Sequence, residues 1–252
     1  MAQKRTDRPG SGRPDRTTRA AALQHEAATK ERNRRLLVAL AAVVVVCALV
    51  AGVVIFSGGD GSQDAPSADV PAAASGQALV IGPKDAAHQV VVYEDFLCPY
   101  CRELENGSRS FLQAGAAAGT VRVEYRPFHL LQDDYSERAL NAWGIVLAQG
   151  TPAQALAFHD KLYDEQPYEA ASSKPDDAQL ADWAKDAGVS DGKVLDAIRS
   201  GTIDQQFVDA ADATAEKAGV QGTPTVTLDG KPLEGSSISA MVDDLERAVA
   251  TS

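Results

Sequence analysis

From Leu36 to Phe56 the chain reads LLVALAAVVVVCALVAGVVIF, 21 residues without a charge. At about 1.5 Å per residue, a helix of that length matches a hydrocarbon core of roughly 30 Å. A helix satisfies its own backbone hydrogen bonds in lipid, so the many valines are no obstacle there. The chain therefore divides into a segment before the span, the span, and a body after it. Residues 1–35 carry ten Lys or Arg against four acids, whereas the whole chain has a net charge of -11, so the body is strongly acidic. Lys30, Arg32, Arg34 and Arg35 stand directly before the span, and no Lys or Arg follows it until Lys84. The positive-inside bias predicts residues 1–35 in the cytoplasm and everything after Phe56 outside the membrane. A basic arm alone would suit a nucleic-acid partner; beside a span it reads as the anchor's cytoplasmic flank, and no nucleic-acid partner is expected. A cleaved signal peptide is the alternative. Its apolar region would be only about 7–15 residues long and closely followed by a small-residue cleavage site, whereas Ala72-Ala73-Ala74 lies far downstream. Cys47, inside the span after Val46, reads as a small apolar residue facing lipid or another helix.

Residues 57–77 are rich in Gly, Ser, Ala, Asp and Pro and read as a flexible tether. The folded part is expected over residues 78–252. Ala78–Ile81, Gln89–Tyr93 and Val121–Tyr125 read as strands, with a helix over Arg102–Ala118 between the second and third. The hydrophobic period then changes from 2 to about 3.6. Helices are expected over Ser136–Gln149, from Thr151-Pro152 onward, and over Asp176–Ala187, Ser190–Ser200 and Thr202–Ala218. Strands return at Pro224–Leu228 and Lys231–Leu233 around Asp229-Gly230, and a last helix begins at Ser237. The order describes an α/β domain interrupted by a helical insertion at about residues 133–218. Trp143 and Trp183 read as core of that insertion, and the acids of residues 164–191 as solvated surface.

Cys98-Pro99-Tyr100-Cys101 falls where a strand meets a helix. A thiol at a helix N-terminus faces unpaired N–H groups and the positive end of the macrodipole, which favour its anion. The thiolate is the nucleophile, so Cys98 is the expected attacking group. Pro99 suits the first helical turn. Cys101, one turn on, is placed to resolve, and the pair can close a disulfide. Zinc would need four ligands. The only other cysteine is Cys47, and His88, His129 and His159 lack metal-ligand spacing, so no metal and no cofactor are expected. His129 reads as a loop histidine after the third strand, and His159 as a core or rim residue. An inert structural disulfide is the remaining alternative. An accessible cysteine at a helix start argues against it, as does the export signal, since disulfide chemistry belongs outside the cytosol.

Tyr93–Cys101 (YEDFLCPYC) resembles the active-site segment of the DsbA-like branch of the thioredoxin superfamily, and Gly219–Val226 (GVQGTPTV) resembles that branch's second motif. The helical block lies between the two motifs, as it does in that branch. The resemblance covers residues 78–252 and implies a thioredoxin-like fold with an inserted helical domain. It also implies a cis peptide bond at Pro224, which would pack beside the Cys98–Cys101 pair. The Thr223 backbone would pair with an extended substrate, and Pro99 and Tyr100 would flank it. Two positions depart from the pattern. The family's buried carboxylate six residues before the first cysteine is Val92 here. Glu94, two residues on and facing the same side of the strand, is either its substitute as a proton relay or solvated; Asp95 is the weaker candidate. Secondly, Tyr100 replaces the histidine of strongly oxidising members, which implies a milder oxidant.

These readings converge on an extracytoplasmic thiol–disulfide oxidoreductase that donates disulfides to exported proteins and is reoxidised by a quinone-linked membrane partner of the DsbB or VKOR type. Two alternatives keep the fold. One is a membrane-fed reductase or isomerase; the other is a non-enzymatic, envelope-anchored peptide-binding module. A cytosolic glutaredoxin also uses CPYC, but the anchor and the helical insertion argue against that reading.

Overall fold

The computed structural model describes residues 70–250. The expected cytoplasmic tail, the span at 36–56 and most of the expected tether lie outside the described residues. Among those described, no helix is long and apolar enough to cross a membrane.

The elements in chain order are β1 (Ala72–Ser75), β2 (Ala78–Ile81), β3 (His88–Glu94), α1 (Pro99–Ala118) and β4 (Val121–Pro127). Five helices follow: α2 (Asp134–Gln149), α3 (Pro152–Asp164), α4 (Asp177–Asp186), α5 (Gly192–Arg199) and α6 (Gln205–Lys217). The chain ends with β5 (Thr225–Leu228), β6 (Lys231–Pro232) and α7 (Ile238–Val249). The strands form one sheet in the order β1-β2-β4-β3-β5-β6. Only β3 and β4 run parallel, with Val90 opposite Val123 and Val92 opposite Tyr125. Their connection is α1, the crossover that a parallel pair requires. This is the thioredoxin-like α/β arrangement the motifs implied, with α2–α6 inserted between β4 and β5.

β1 corrects the sequence reading, which placed residues 57–77 in a tether. Ala72–Ser75 pairs with β2 from Ala72 opposite Ile81 to Ser75 opposite Ala78. The two-residue turn is made by Gly76, at φ +61°, and Gln77, and a positive φ at that place suits a tight hairpin. Most of the strand's short side chains are exposed, so it carries no hydrophobic signature. Its contribution is to pair the open edge of β2, all four of whose residues are buried.

β3 and β4 alternate buried and less buried positions along the sheet, as strands with one face in the core do. In β3 the innermost positions are Val90, Val92 and then Glu94. A carboxylate thus occupies a place where the period calls for an apolar residue. α1 packs on β4 and against α7. Gly107 makes that approach possible, since a Cβ there would lie 3.0 Å from both Val242 methyls. α3 packs against α1, β1 and β2, and α6 against β4. Trp143 of α2 is fully buried and contacts Phe96 and Phe207, while its Nε1–H donates to the Ala155 carbonyl at 3.1 Å. One aromatic cluster thereby ties the insertion to the segment preceding Cys98. Trp183 is also buried.

Helix starts follow capping chemistry. Thr151 and Gln154 form a reciprocal capping box at α3, and Asp133, Asp176, Asp191, Asp204 and Ser237 cap five of the others with side-chain oxygens. α1 is the exception: Cys98 holds its N-cap and makes no side-chain capping bond.

Candidate functional site

β3 ends at Glu94, and α1 begins five residues later at Pro99. Cys98 N–H donates to the Asp95 carbonyl at 2.9 Å, and the Cys98 carbonyl accepts from the N–H of Cys101 and Arg102. Asp95 ties this turn to its surroundings: it is buried, and its carboxylate accepts four hydrogen bonds. They come from the N–H of Leu97, Leu130 and Leu131 and from the Ser136 hydroxyl, at 2.8 to 3.0 Å. Asp95 is therefore a structural anchor of the active-site turn. A further clamp comes from the insertion, where Gln166 Nε2 donates to the carbonyls of Phe96 at 3.0 Å and Cys98 at 3.1 Å.

Cys98 and Cys101 are both thiols, and both are buried, but their surroundings push them apart. As a thiolate, Cys98 accepts first from the Cys101 thiol, then from the Thr223 side chain and the N–H groups of Cys101 and Tyr100. Burial opposes these bonds, and the outcome is a pKa lowered to about 6. As a thiol, Cys98 donates to the Thr223 carbonyl at 3.4 Å. Burial holds the Cys101 thiol well above its ordinary range, and the charges of Cys98 and Glu94 push it further up. At neutral pH the pair thus holds one thiolate and one proton.

The Thr223-Pro224 bond is cis, and the Thr223 carbonyl, 3.4 Å from Cys98 Sγ, places the motif at 219–226 against the cysteine pair. Pro224 is half-buried. Tyr100 projects outward, 60% exposed. Next to Pro99 a groove of about 670 Å³ runs between α1 and the insertion, lined by Arg102, Glu103, Asn106, Gln166 and Tyr168. Tyr100 and Tyr168 are the exposed large hydrophobic residues among those described.

Glu94 is fully buried, which overturns the solvated alternative. Its Oε1 lies 2.7 Å from His159 Nε2. His159, read from sequence as a core or rim residue, is wholly inside and also contacts Asp160, 3.2 Å from its Nδ1. Burial works against the imidazolium, but the Glu94 charge and the bonds to Asp160 and Glu94 raise its pKa to about 10. Glu105 of α1 joins them, and burial pushes its carboxyl up to about 8. Single ligand atoms of Glu94, Glu105 and His159 lie within 4.8 Å of one another, so these three residues could hold a metal ion. The sequence had set the histidines aside as scattered. The Arg109 guanidinium already supplies a cation here, 3.7 Å from Glu105 and 3.4 Å from Asp160. His129, by contrast, sits in the loop after β4 with its N–H on Asp212 at 2.7 Å. Of the acids read as solvated, Asp164 pairs with Arg109 at 2.8 Å and Asp177 with Arg138 at 3.4 Å.

A thiolate-prone cysteine at a helix start, a protonated partner one turn on and a cis-proline loop beside them, all on this sheet, define a thiol–disulfide oxidoreductase. The thioredoxin family model matches residues 74–247. The chain belongs to that family, and it is an enzyme of the DsbA type. It is 28% identical to the MdbA thiol–disulfide oxidoreductase of Corynebacterium diphtheriae, over 72% of this chain and 96% of that one, with a TM-score of 0.61. It is 30% identical to reduced DsbA of Mycobacterium tuberculosis, over 73% and 93%, with a TM-score of 0.56. It is 29% identical to the reduced disulfide bond oxidoreductase DsbG of the same organism, over 73% and 88%, with a TM-score of 0.56. A search of curated proteins found no match.

The split in thiol acidity has a measurable signature. A Cys98 pKa of about 6, below the unfolded value of about 8.5, stabilises the reduced fold. That stabilisation is complete above about pH 8.5 and is lost as pH falls through about 6. Reduction therefore takes up one proton with two electrons above pH 6 and two protons below it. The potential is expected to change by about 30 mV per pH unit above the break and about 59 mV below it. Equilibration with a dithiol buffer from pH 5 to 8.5 measures both slopes.

Proposed function

We propose that the protein acts outside the cytoplasmic membrane, held by the span at residues 36–56, and introduces disulfides into exported proteins that contain cysteines. A substrate thiolate attacks Cys98 of the Cys98–Cys101 disulfide. The S–S bond breaks, its electron pair passes to Cys101, and Cys101 takes up a proton. A second substrate thiolate then attacks the substrate sulfur of the mixed disulfide. The substrate's disulfide forms, and Cys98 leaves as a thiolate. The backbone at Thr223, next to cis-Pro224, pairs with the extended substrate by strand addition. Pro99 and Tyr100 border it, and the groove toward Tyr168 takes the flanking residues. No cofactor takes part. A quinone-linked membrane protein of the DsbB or VKOR type reoxidises the pair.

The observation that carries the donating direction is the stabilised Cys98 thiolate. A thiol–disulfide couple becomes more oxidising as its reduced form is stabilised, and a pKa of about 6 lies between the thioredoxin value of about 7 and the DsbA value of about 3.5. This supports an oxidant milder than DsbA, in keeping with Tyr100 between the cysteines. The nearness of about 6 to the thioredoxin value of about 7 keeps a membrane-fed reductase or isomerase as the second reading. The test is the reduction potential of the full chain in detergent, equilibrated in glutathione buffers. A value between about −120 and −180 mV supports disulfide donation, and one near −270 mV overturns it in favour of a membrane-fed reductase.

A further inference from the structure

Where β3, α1 and α3 meet, the core holds polar atoms that the protein itself does not satisfy. Glu94 from the end of β3, Glu105 from α1 and His159 from α3 are all fully buried, and their ligand atoms lie within 4.8 Å of one another. Glu94 Oε2 and both carboxylate oxygens of Glu105 have no hydrogen-bond partner among the described residues. The same holds for the hydroxyls of Tyr125 and Tyr163, whose rings pack against the His159 ring. Buried polar atoms are almost always partnered by protein, water or an ion, so five around one histidine call for an occupant.

The charges do not balance either. Arg109 lies 3.7 Å from Glu105 and 3.4 Å from Asp160, and bonds outward to Asp164 at 2.8 Å. Glu94, Glu105 and Asp160 against this one guanidinium leave two negative charges when His159 is a neutral ring, and one when it is an imidazolium. Buried charge is costly unless it is paired. His159 is also oriented as a ligand. Its Nδ1 is 3.2 Å from Asp160 Oδ1, and Asp160 Oδ2 accepts from Gln113 at 2.9 Å. A ring that donates Nδ1–H to a carboxylate presents its Nε2 lone pair on the other side, as metal-bound histidines do. That side faces Glu94 Oε1 at 2.7 Å.

We propose that Glu94, Glu105 and His159 bind one divalent first-row cation, zinc by the chemistry of the donors, which staples the insertion to the sheet and to the helix that carries the cysteines. Carboxylates with an imidazole suit zinc, whereas calcium and magnesium take oxygen ligands. One oxygen of Glu94, both of Glu105 and His159 Nε2 make the four donors of a structural site. Two zinc bonds of about 2.0–2.1 Å at a tetrahedral angle hold their ligand atoms about 3.3 Å apart, so Glu94 and His159 separate slightly to admit the ion. In the metal-free chain a proton between them stands in its place. Its charge of +2 cancels the excess left by Arg109. The ligands come from three elements distant in sequence, and the ion takes no part in thiol exchange.

The test uses the untagged full chain in detergent with the Cys98–Cys101 disulfide closed, so that neither of those thiols can bind metal. After growth with added zinc and dialysis against EDTA, about one zinc per chain is expected by mass spectrometry. Zinc at a hundredfold excess over its Kd is expected to raise the Tm of chain from zinc-depleted cells by about 5–11 °C. Glu105→Gln and His159→Gln are expected to lose both the ion and the shift. A wild type without zinc overturns the site and leaves the uncommitted oxygens to buried water, and variants that keep the zinc overturn it too. Should the variants not fold, X-ray absorption at the zinc edge of the wild type decides. Oxygen and nitrogen at about 2.0–2.2 Å with imidazole scattering are expected. Sulfur at about 2.3 Å, which would place the ion on Cys47, or a shell of oxygen alone overturns the site.

Discussion

Cys98→Ser is expected to lower thiol–disulfide exchange to the uncatalysed rate, and Cys101→Ala to stop the reaction halfway. The two outcomes differ because the two sulfurs sit differently. Cys98 lies at the helix start beside Thr223 and cis-Pro224 and keeps 4% of its surface exposed, whereas Cys101 has none. Without Cys101, Cys98 has no internal disulfide to offer; its thiolate attacks a disulfide already formed in an exported protein, one substrate sulfur leaves as a thiolate, and the mixed disulfide left on Cys98 has no active-site thiol to release it. Cells expressing the full-length Cys101→Ala chain should therefore accumulate DTT-sensitive adducts with exported proteins on Cys98, seen as a ladder on non-reducing gels. A clean gel would count against exchange between Cys98 and exported proteins. The same variant has a second consequence. The Cys101 thiol is the first cause of the Cys98 shift, so its removal should raise the Cys98 pKa from about 6 toward the ordinary value of about 8.5. Alkylation rates between pH 5 and 9 report the midpoint directly.

The second large effect is on stability. Asp95→Ala removes the acceptor for three backbone N–H groups and the Ser136 hydroxyl. Each buried donor left without a partner costs about 1–3 kcal/mol. Relaxation and water will recover part of that total, and a net loss of about 4 kcal/mol is expected. For a domain of this size that lowers Tm by about 8–16 °C. Asp95→Asn keeps one acceptor oxygen and should fall between the two. Thermal and urea melts measure both. A melting point for Asp95→Ala within 2–4 °C of wild type, about 1 kcal/mol, would show that the four bonds do not hold the turn.

The parts of this protein that were legible in its sequence are those encoded locally. The strand–CPYC–helix junction, the GTP loop and the change of period at the insertion each fit within a window of about ten to twenty residues. β1 was not legible, because alanines carry no strand signature and its role is to pair an edge supplied by β2. Glu94 was visible as a candidate, but its state was not. Two residues of offset place it on the inward face, and whether that face is dry depends on α1 and α3. His159 and Gln166 were the larger omissions. Each lies more than sixty residues from the active-site segment it touches, and each carries a partner that only the docked insertion brings near. A polar residue at a position with helical apolar periodicity was the available signal for His159.

Gln166 has one further implication. A single amide holds two successive-turn carbonyls, those of Phe96 and Cys98, and the same residue begins the wall of the groove that ends at Tyr168. The wall of the groove and the backbone of the nucleophile thus share one side chain, so a change at Gln166 reaches both at once.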